Sequence, residues 1–288
     1  MTRDAVTLAW QLLLAERAAD PMTADAAAAA LAALSADAVA AALPDDPARI
    51  ATWLNLYNAA TQRLLAAAPD GFAQRRHFFR RPAVSVAGTS LSLDDIEHGL
   101  LRRSRWKLGL GWARNPRPGA FERRFRVERL DPRIHFALNC AAASCPPIAA
   151  YAPARLDAQL DLATRGYLAG SVQDDGRTLT VPRVFLWFPG DFGGPAGIRR
   201  LLVRYGVAVE GRRLRPAGWD WTPTPGAWRP DDPSATAWPP TDGSADAPLG
   251  DDVAAHASPV PVPATGTTFD RPAGRSGPEP KHRPRAHP

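Results

Sequence analysis

The sequence predicts an α+β fold, with helices packed on a small, mainly antiparallel sheet, as a single domain followed by a disordered C-terminal tail. Three observations predict it. Helical and alternating segments intermix without a regular βαβ rhythm. Apolar residues fill 45% of 288 positions, enough for a sizeable core. Of the 30 prolines, 14 lie between Pro225 and Pro288, where large apolar residues are few and periodicity is absent. The domain is expected over 1–224 and the Pro-rich tail over 225–288.

The elements follow from period and punctuation. Residues 4–19 alternate as an amphipathic helix, with Asp4 and Gln11 interrupting the apolar run, so they do not read as a secretory signal. An alanine-rich stretch over 24–43 continues in helix. Asp46-Pro47 opens the strongest helix, ARIATWLNLYNAATQRLLAAA, which Pro69-Asp70-Gly71 stops. PAVSVAGT (82–89) alternates as a short strand. Ser92 then caps a helix through IEHGLLRR, with Asp95 in the reciprocal capping position. RIHFALNC (133–140) alternates as a strand, and 153–169 is helical. LTVPRVFLWF is extended, and 197–205 form a short helix.

Charge and motif content exclude several classes. Only Lys107 and Lys281 are lysines, so 33 of 35 cations are arginine, a pattern that fits coding bias in an alanine-rich chain. The tail holds 6 Lys+Arg and 8 Asp+Glu, so the net +6 divides into +8 before residue 225 and −2 after it. Two cysteines make neither a disulfide scaffold nor a CxxC zinc site. No run of eighteen apolar residues, phosphate loop, GxGxxG after a strand or HExxH occurs. Asp191-Phe192-Gly193 stands without the other parts of a kinase. The expectations are a cytoplasmic protein with no membrane span, no cofactor, no metal and no nucleic-acid partner.

Several residues carry possible chemistry. In the helix over 48–67, Trp53, Tyr57, Ala60 and Leu64 form one apolar stripe and Leu54, Asn58, Thr61 and Leu65 the next. Asn58 is thereby placed at the edge of the core, as a tie to a neighbouring loop or as a positioned amide at a site. Glu97 shares a side with Leu93, Ile96 and Leu100 and requires pairing, for which arginine is the expected partner. His98 lies one turn after Asp94, which can orient its imidazole. Alternation over 133–140 puts Ile134, Phe136, Leu138 and Cys140 on one face, and His135 and Asn139 on the other. Cys145 follows a small-residue loop and precedes Pro146-Pro147, so the loop can return it towards His135. A thiol beside an imidazole is the minimum for nucleophilic catalysis. A packed thiol and a Cys140–Cys145 disulfide remain the alternatives.

Five segments, taken in chain order, are recognisable together. WLNLYNAAT (53–61), SLDDIEHGLL (92–101), DPRIHFALNCAAASCPP (131–147), VFLWFPGDFGG (184–194) and GWDWT (218–222) resemble the family catalogued as domain of unknown function 547. The resemblance covers roughly residues 30–224. It implies that the marked polar positions are Asn55, Asn58, Glu97, His98, His135, Cys145, Asp191 and Asp220. Residues 106–121 look like an insertion, and the tail has no family counterpart. The arrangement is analogous at fold level to papain- and transglutaminase-like proteins, whose nucleophile opens the core helix, where this chain offers Asn55 and no cysteine.

Two functional readings result. The first is a thiol-dependent hydrolase or acyl transferase with Cys145 as nucleophile, His135 or His98 as base and Asn58 as orienter. In it Asn55, Glu97, Asn139, Asp191 and Asp220 serve binding. The second is a non-catalytic ligand- or protein-binding scaffold module for a small polar or peptide ligand. A third reading, ranked behind these two, uses the arginine-rich stretch between Phe72 and Leu130, with 14 Lys+Arg against 5 Asp+Glu, to hold an acidic partner.

Overall fold

In the computed structural model, residues 3–230 are described; the expected tail lies outside them from residue 231 onward. Four helices open on side-chain caps. Asp4 accepts from the Thr7 amide at the start of α1 (Ala5–Arg17), and Asp20 from Thr23 at α2 (Pro21–Ala33). Ser35 accepts from Ala38 at α3 (Ala36–Ala42), and Asp45 from Ala48 at α4 (Asp46–Ala67). Each cap satisfies an amide that the first helical turn leaves unpaired. Pro21 and Pro47 stand in first turns, where the missing N–H is not needed. The alanine-rich stretch expected as one helix is split into α2 and α3 by a turn of 107°, at the Ser35 cap.

Helix α4 organises the molecule. Its 22 residues extend about 33 Å, and it is buried on nearly every side from Ala48 to Leu65. Asn58 accordingly lies inside the core with no exposed surface, not at its edge. Helix α1 packs against both α2 and α4, and Arg63 ties the three together through Glu16 (2.9 Å) and Asp25 (2.6 Å). Helix α5 (Arg75–Arg80) then leads into an antiparallel pair, β1 (Pro82–Val86) and β2 (Thr89–Ser92).

The remaining elements build a second cluster around Phe136, Phe185, Phe192 and Leu202. They are α7 (Leu156–Ser171), β3 (Gln173–Asp174), β4 (Thr178–Val181), α8 (Val184–Trp187), α9 (Gly194–Arg204) and β5 (Arg213–Pro216), whereas α6 (Ala120–Phe125) packs Phe125 into the core around α4. Strand β4 pairs antiparallel with β3 and parallel with β5. The α+β class is as expected, but the β structure is two separate small sheets and one of its pairings is parallel. LTVPRVFLWF is extended only as far as Val181. Pro182 then precedes the short helix α8.

The largest departure is at 131–147. No strand forms there. Asp131 accepts from the Arg133 amide and starts a 3₁₀ turn, Pro132–Phe136, after which the backbone is irregular. Ile134, His135, Phe136, Ala137, Leu138 and Asn139 are all buried, so the alternation in the sequence does not separate two faces, and Cys140 is only half-buried. The hydrogen bonds a strand would make are supplied by side-chain amides instead. Asn58 donates to the Ala137 carbonyl (3.1 Å) and accepts from the Asn139 amide (2.9 Å). Asn55 does the same for both backbone groups of Tyr151 (2.8 and 2.9 Å). Asn139 spans Ala141 N–H and the Pro146 carbonyl, and Gln159 spans Ala152 N–H and the Ala150 carbonyl. Buried backbone polar groups must be paired, and here four carboxamides meet that need.

Paired backbone also continues past residue 224. Ile148 donates to the Ala227 carbonyl and accepts from the Arg229 amide, each at 2.8 Å, while Gln62 accepts from Gly226. Asn55→Ala and Asn58→Ala are each expected to lower unfolding free energy by about 2–4 kcal/mol, because each strands two buried backbone groups. Urea denaturation checks this, with exposed Arg177→Ala as a control expected within about 0.5 kcal/mol of wild type.

Candidate functional site

The Ser92–Asp95 exchange predicted from the sequence is present: Ser92 N–H and Oγ donate to Asp95 Oδ2 (2.9 and 2.6 Å), and Asp95 N–H donates to Ser92 Oγ (3.2 Å). The helix it opens, Asp95–Leu101, is wider than an α-helix. Arg102 N–H donates to Glu97 O and Ser104 N–H to Gly99 O, both five residues back and at 2.8 Å. Such π-type turns are uncommon and recur at functional sites. Arg103 and Ser104 then leave the helix at φ 54° and 61°, in the left-handed region. Arg102 is delivered inward with no exposed surface.

Arg102 meets Asp191, which the 3₁₀ turn Pro189–Phe192 presents from the opposite side. Arg102 Nε donates to Asp191 Oδ2 at 2.6 Å and Nη2 to Oδ1 at 3.2 Å. His135 Nε2 lies 2.8 Å from Asp191 Oδ2, and Arg105 Nη1 lies 3.3 Å from Oδ1. Burial pushes the Asp191 carboxyl upward, but the hydrogen bonds from His135 and Arg102 outweigh it and hold it below its ordinary value. The aspartate is therefore ionised, and His135 Nε2 donates to it. Phe188 closes the group, with the Arg102 guanidinium 3.8 Å above its ring centroid and His135 stacked on it at 5.1 Å.

His98 sits on the far side of Arg102. Arg102 Nη1 is 2.9 Å from His98 Nδ1, and a guanidinium only donates, so Nδ1 is the acceptor. The proton of the neutral ring is thereby on Nε2. Among the described residues that buried atom has no hydrogen-bond partner, the Asp94 carboxylate being 3.6 Å away. Burial, reinforced by Arg102, Lys107 and His135, pushes His98 well below its ordinary 6.5. Glu97 accepts from Tyr57 Oη at 3.3 Å rather than from the arginine expected, while Arg102 acts on it through space. Burial raises the Glu97 carboxyl, and burial together with Glu97 raises the Tyr57 phenol well above its ordinary value.

A loop over 103–119 lies against this cluster. Trp106 N–H donates to the Ala113 carbonyl, and Gly190 N–H to the Leu110 carbonyl (2.9 Å). Gly111 and Gly190 approach so closely that a Cβ on Gly190 would stand 2.5 Å from the Gly111 carbonyl carbon. The outer side of the loop exposes Trp106 (56%), Leu108 (91%), Leu110 (53%) and Trp112 (60%).

Of the residues singled out in the sequence, Glu97, His98, His135 and Asp191 come together. Asn55, Asn58 and Asn139 do not join them; both polar atoms of each amide are taken by backbone, which corrects the role of orienter for Asn58. Asp220 is exposed, and its carboxylate accepts from the Thr222 amide. Cys145 is bonded to Cys140, and no free cysteine remains among the described residues, so the expectation of a Cys145 thiol nucleophile is corrected to one of its two alternatives. The residues missed were Arg102, Arg105 and Tyr57. Arg102 was legible only as one of a tandem arginine pair just after the IEHGLL segment. Among the described residues no three His, Cys, Asp or Glu side chains converge on a metal position, and no single helix is long and apolar enough to cross a membrane.

The His98 shift carries a sign. The native ring resists protonation, so its contribution to stability is full above about pH 6.5 and is lost as pH falls below that value, where the unfolded chain takes up a proton first. Glu97 acts oppositely, because its raised carboxyl is disfavoured as an anion once pH rises past 4.5. His98→Gln, which can still accept from Arg102, is expected to flatten the fall in stability between about pH 6.5 and 5 relative to wild type. Urea unfolding across that range checks it; identical slopes contradict it.

The sequence resemblance is shown over part of the chain: residues 42–168 match the model of the family described as "Protein of unknown function, DUF547". No curated protein and no solved structure matches the chain.

Proposed function

We propose that this protein, which matches that family's model over residues 42–168, is a binding module. It docks an acidic, apolar peptide segment of a partner protein on the loop over 103–117. One observation carries the reading. Of the large apolar side chains exposed among the described residues, four lie within the seven positions 106–112. Scattered apolar residues on a surface need no explanation, but a contiguous group does. Beside the ion-paired Arg105 and Lys107, the same loop holds Arg103, Arg114 and Arg117 and no acidic residue, which defines the charge of the partner. Tryptophan and arginine are among the residues that most often dominate binding energy at protein surfaces.

The mounting of the loop supports the same reading. Arg105 is held by Asp191, Lys107 donates to Asp94 at 2.7 Å, and the Leu110 carbonyl is held by Gly190. A surface fixed before the partner arrives loses less conformational entropy on binding. The competing reading, a thiol-dependent hydrolase or acyl transferase, has less support. Cys145 is cross-linked, and His135 Nε2 and His98 Nδ1 are occupied by Asp191 and Arg102.

The test is fluorescence anisotropy of a labelled synthetic peptide in which Asp and Glu alternate with Leu and Phe. Trp106→Ala/Trp112→Ala is expected to weaken binding by about 30-fold, corresponding to about 2 kcal/mol, with unchanged thermal stability. Affinity is also expected to fall as salt rises. Equal affinity of the variant, a flat salt response, or binding to phosphatidylserine vesicles in place of the peptide contradicts the proposal.

A further inference from the structure

We propose that the Cys140–Cys145 disulfide is a thiol-exchange site, and that its reduction by a low-molecular-weight or protein thiol releases the 218–225 segment from the body of the domain. Both cysteines are half-buried, so an attacking thiolate reaches them without unfolding of the core. The Cys140 N–H points at Cys145 Sγ, 3.1 Å away, and is placed to stabilise negative charge developing on that sulfur. This asymmetry selects the direction of attack. The incoming thiolate bonds to Cys140 Sγ, the Sγ–Sγ bond breaks, and its electron pair leaves on Cys145 Sγ. A second thiolate attacks the external sulfur of the mixed disulfide and expels Cys140 as a thiolate. Two thiols are oxidised to one disulfide, and their protons pass to the two cysteines.

The loop closed by this bond is under local strain. Ala141 is held at φ 67°, in the left-handed region that disfavours a residue with a Cβ. The cross-link, the Asn139 carboxamide, which accepts from the Ala141 amide at 2.8 Å, and the Thr224 amide, which donates to the Ala141 carbonyl, hold it there. The same four-residue loop grips the chain at 220–224. Ala143 N–H donates to Thr222 O (2.9 Å), Thr224 N–H to Ala141 O (2.7 Å) and Ser144 N–H to Asp220 O (3.3 Å). Ser144 Oγ accepts from the Asp220 amide (2.8 Å). Opening the ring lets Ala141 leave the left-handed region and displaces all four bonds together. Trp219 and Trp221, which pack on Trp187 at 4.8 and 5.9 Å, lie in the released segment and report its movement.

The experiment is hydrogen exchange of the full chain, read by peptide mass, before and after treatment with reduced glutathione. Thiol content is followed by alkylation. Expected are full reduction, a loss of protection over 219–225 of about tenfold or more, and unchanged protection in α4. The Cys140→Ser/Cys145→Ser variant is expected to show the reduced pattern whether or not glutathione is present. A bond that glutathione leaves intact overturns the exchange site. Unchanged protection over 219–225 in fully reduced protein overturns the release. Loss of protection in α4 as well assigns the bond to global stability alone, and equally overturns the proposal.

Discussion

The buried Asp191 carboxylate is the interaction on which the geometry of this domain turns. Four pieces of chain with no sheet in common meet at it: the wide helix through Arg102, the 3₁₀ turn carrying His135, the turn of Asp191 itself and the cationic loop through Arg105. A carboxylate with no exposed side-chain surface is costly unless its lone pairs are used, and here three cationic or N–H-bearing groups use them. Moving any one of these pieces would strand charge in the core. The posture of the exposed loop is therefore set from beneath, by residues a partner would never touch.

A second constraint lies behind the first. The chain from 137 to 152 must cross the core beside α4 without strand or helix, and its backbone groups must still be satisfied. Carboxamides do this because one side chain carries both a donor and an acceptor, spaced to match a peptide group. Asn55 and Asn58 face this segment from α4, and Gln159 reaches it from α7. The polar residues on the apolar face of α4 therefore serve the fold, and the pocket chemistry they suggest is not available to them. The chemistry of the cluster is likewise turned inward, with the His98 proton directed at no acceptor within hydrogen-bond reach.

The helices were legible in the sequence because their signals are local. Asp46-Pro47 and the Ser92–Asp95 exchange announce their own positions, and the apolar stripes of α4 identify it as the core helix. RIHFALNC misled for a physical reason. Alternation implies a strand only when one face meets solvent, and this segment is buried at every position from Ile134 to Asn139. Glu97, His98, His135 and Asp191 could be selected by residue type and resemblance, but their meeting point depends on Arg102. Its partners are 89 residues away at Asp191 and four away at His98, a separation no local pattern encodes. The cysteine pair was legible as three readings, a nucleophilic thiol, a packed thiol and a disulfide, of which the structure forms the disulfide.

The most direct test of the Asp191 account is a double-mutant cycle on Arg102→Met and Asp191→Asn, followed by urea unfolding at neutral pH. Each single variant leaves an uncompensated buried group, whereas the double variant leaves none between this pair. The account predicts that the double variant loses less stability than the two singles summed, by a coupling of at least about 2 kcal/mol. Losses that add to within about 0.5 kcal/mol would contradict it.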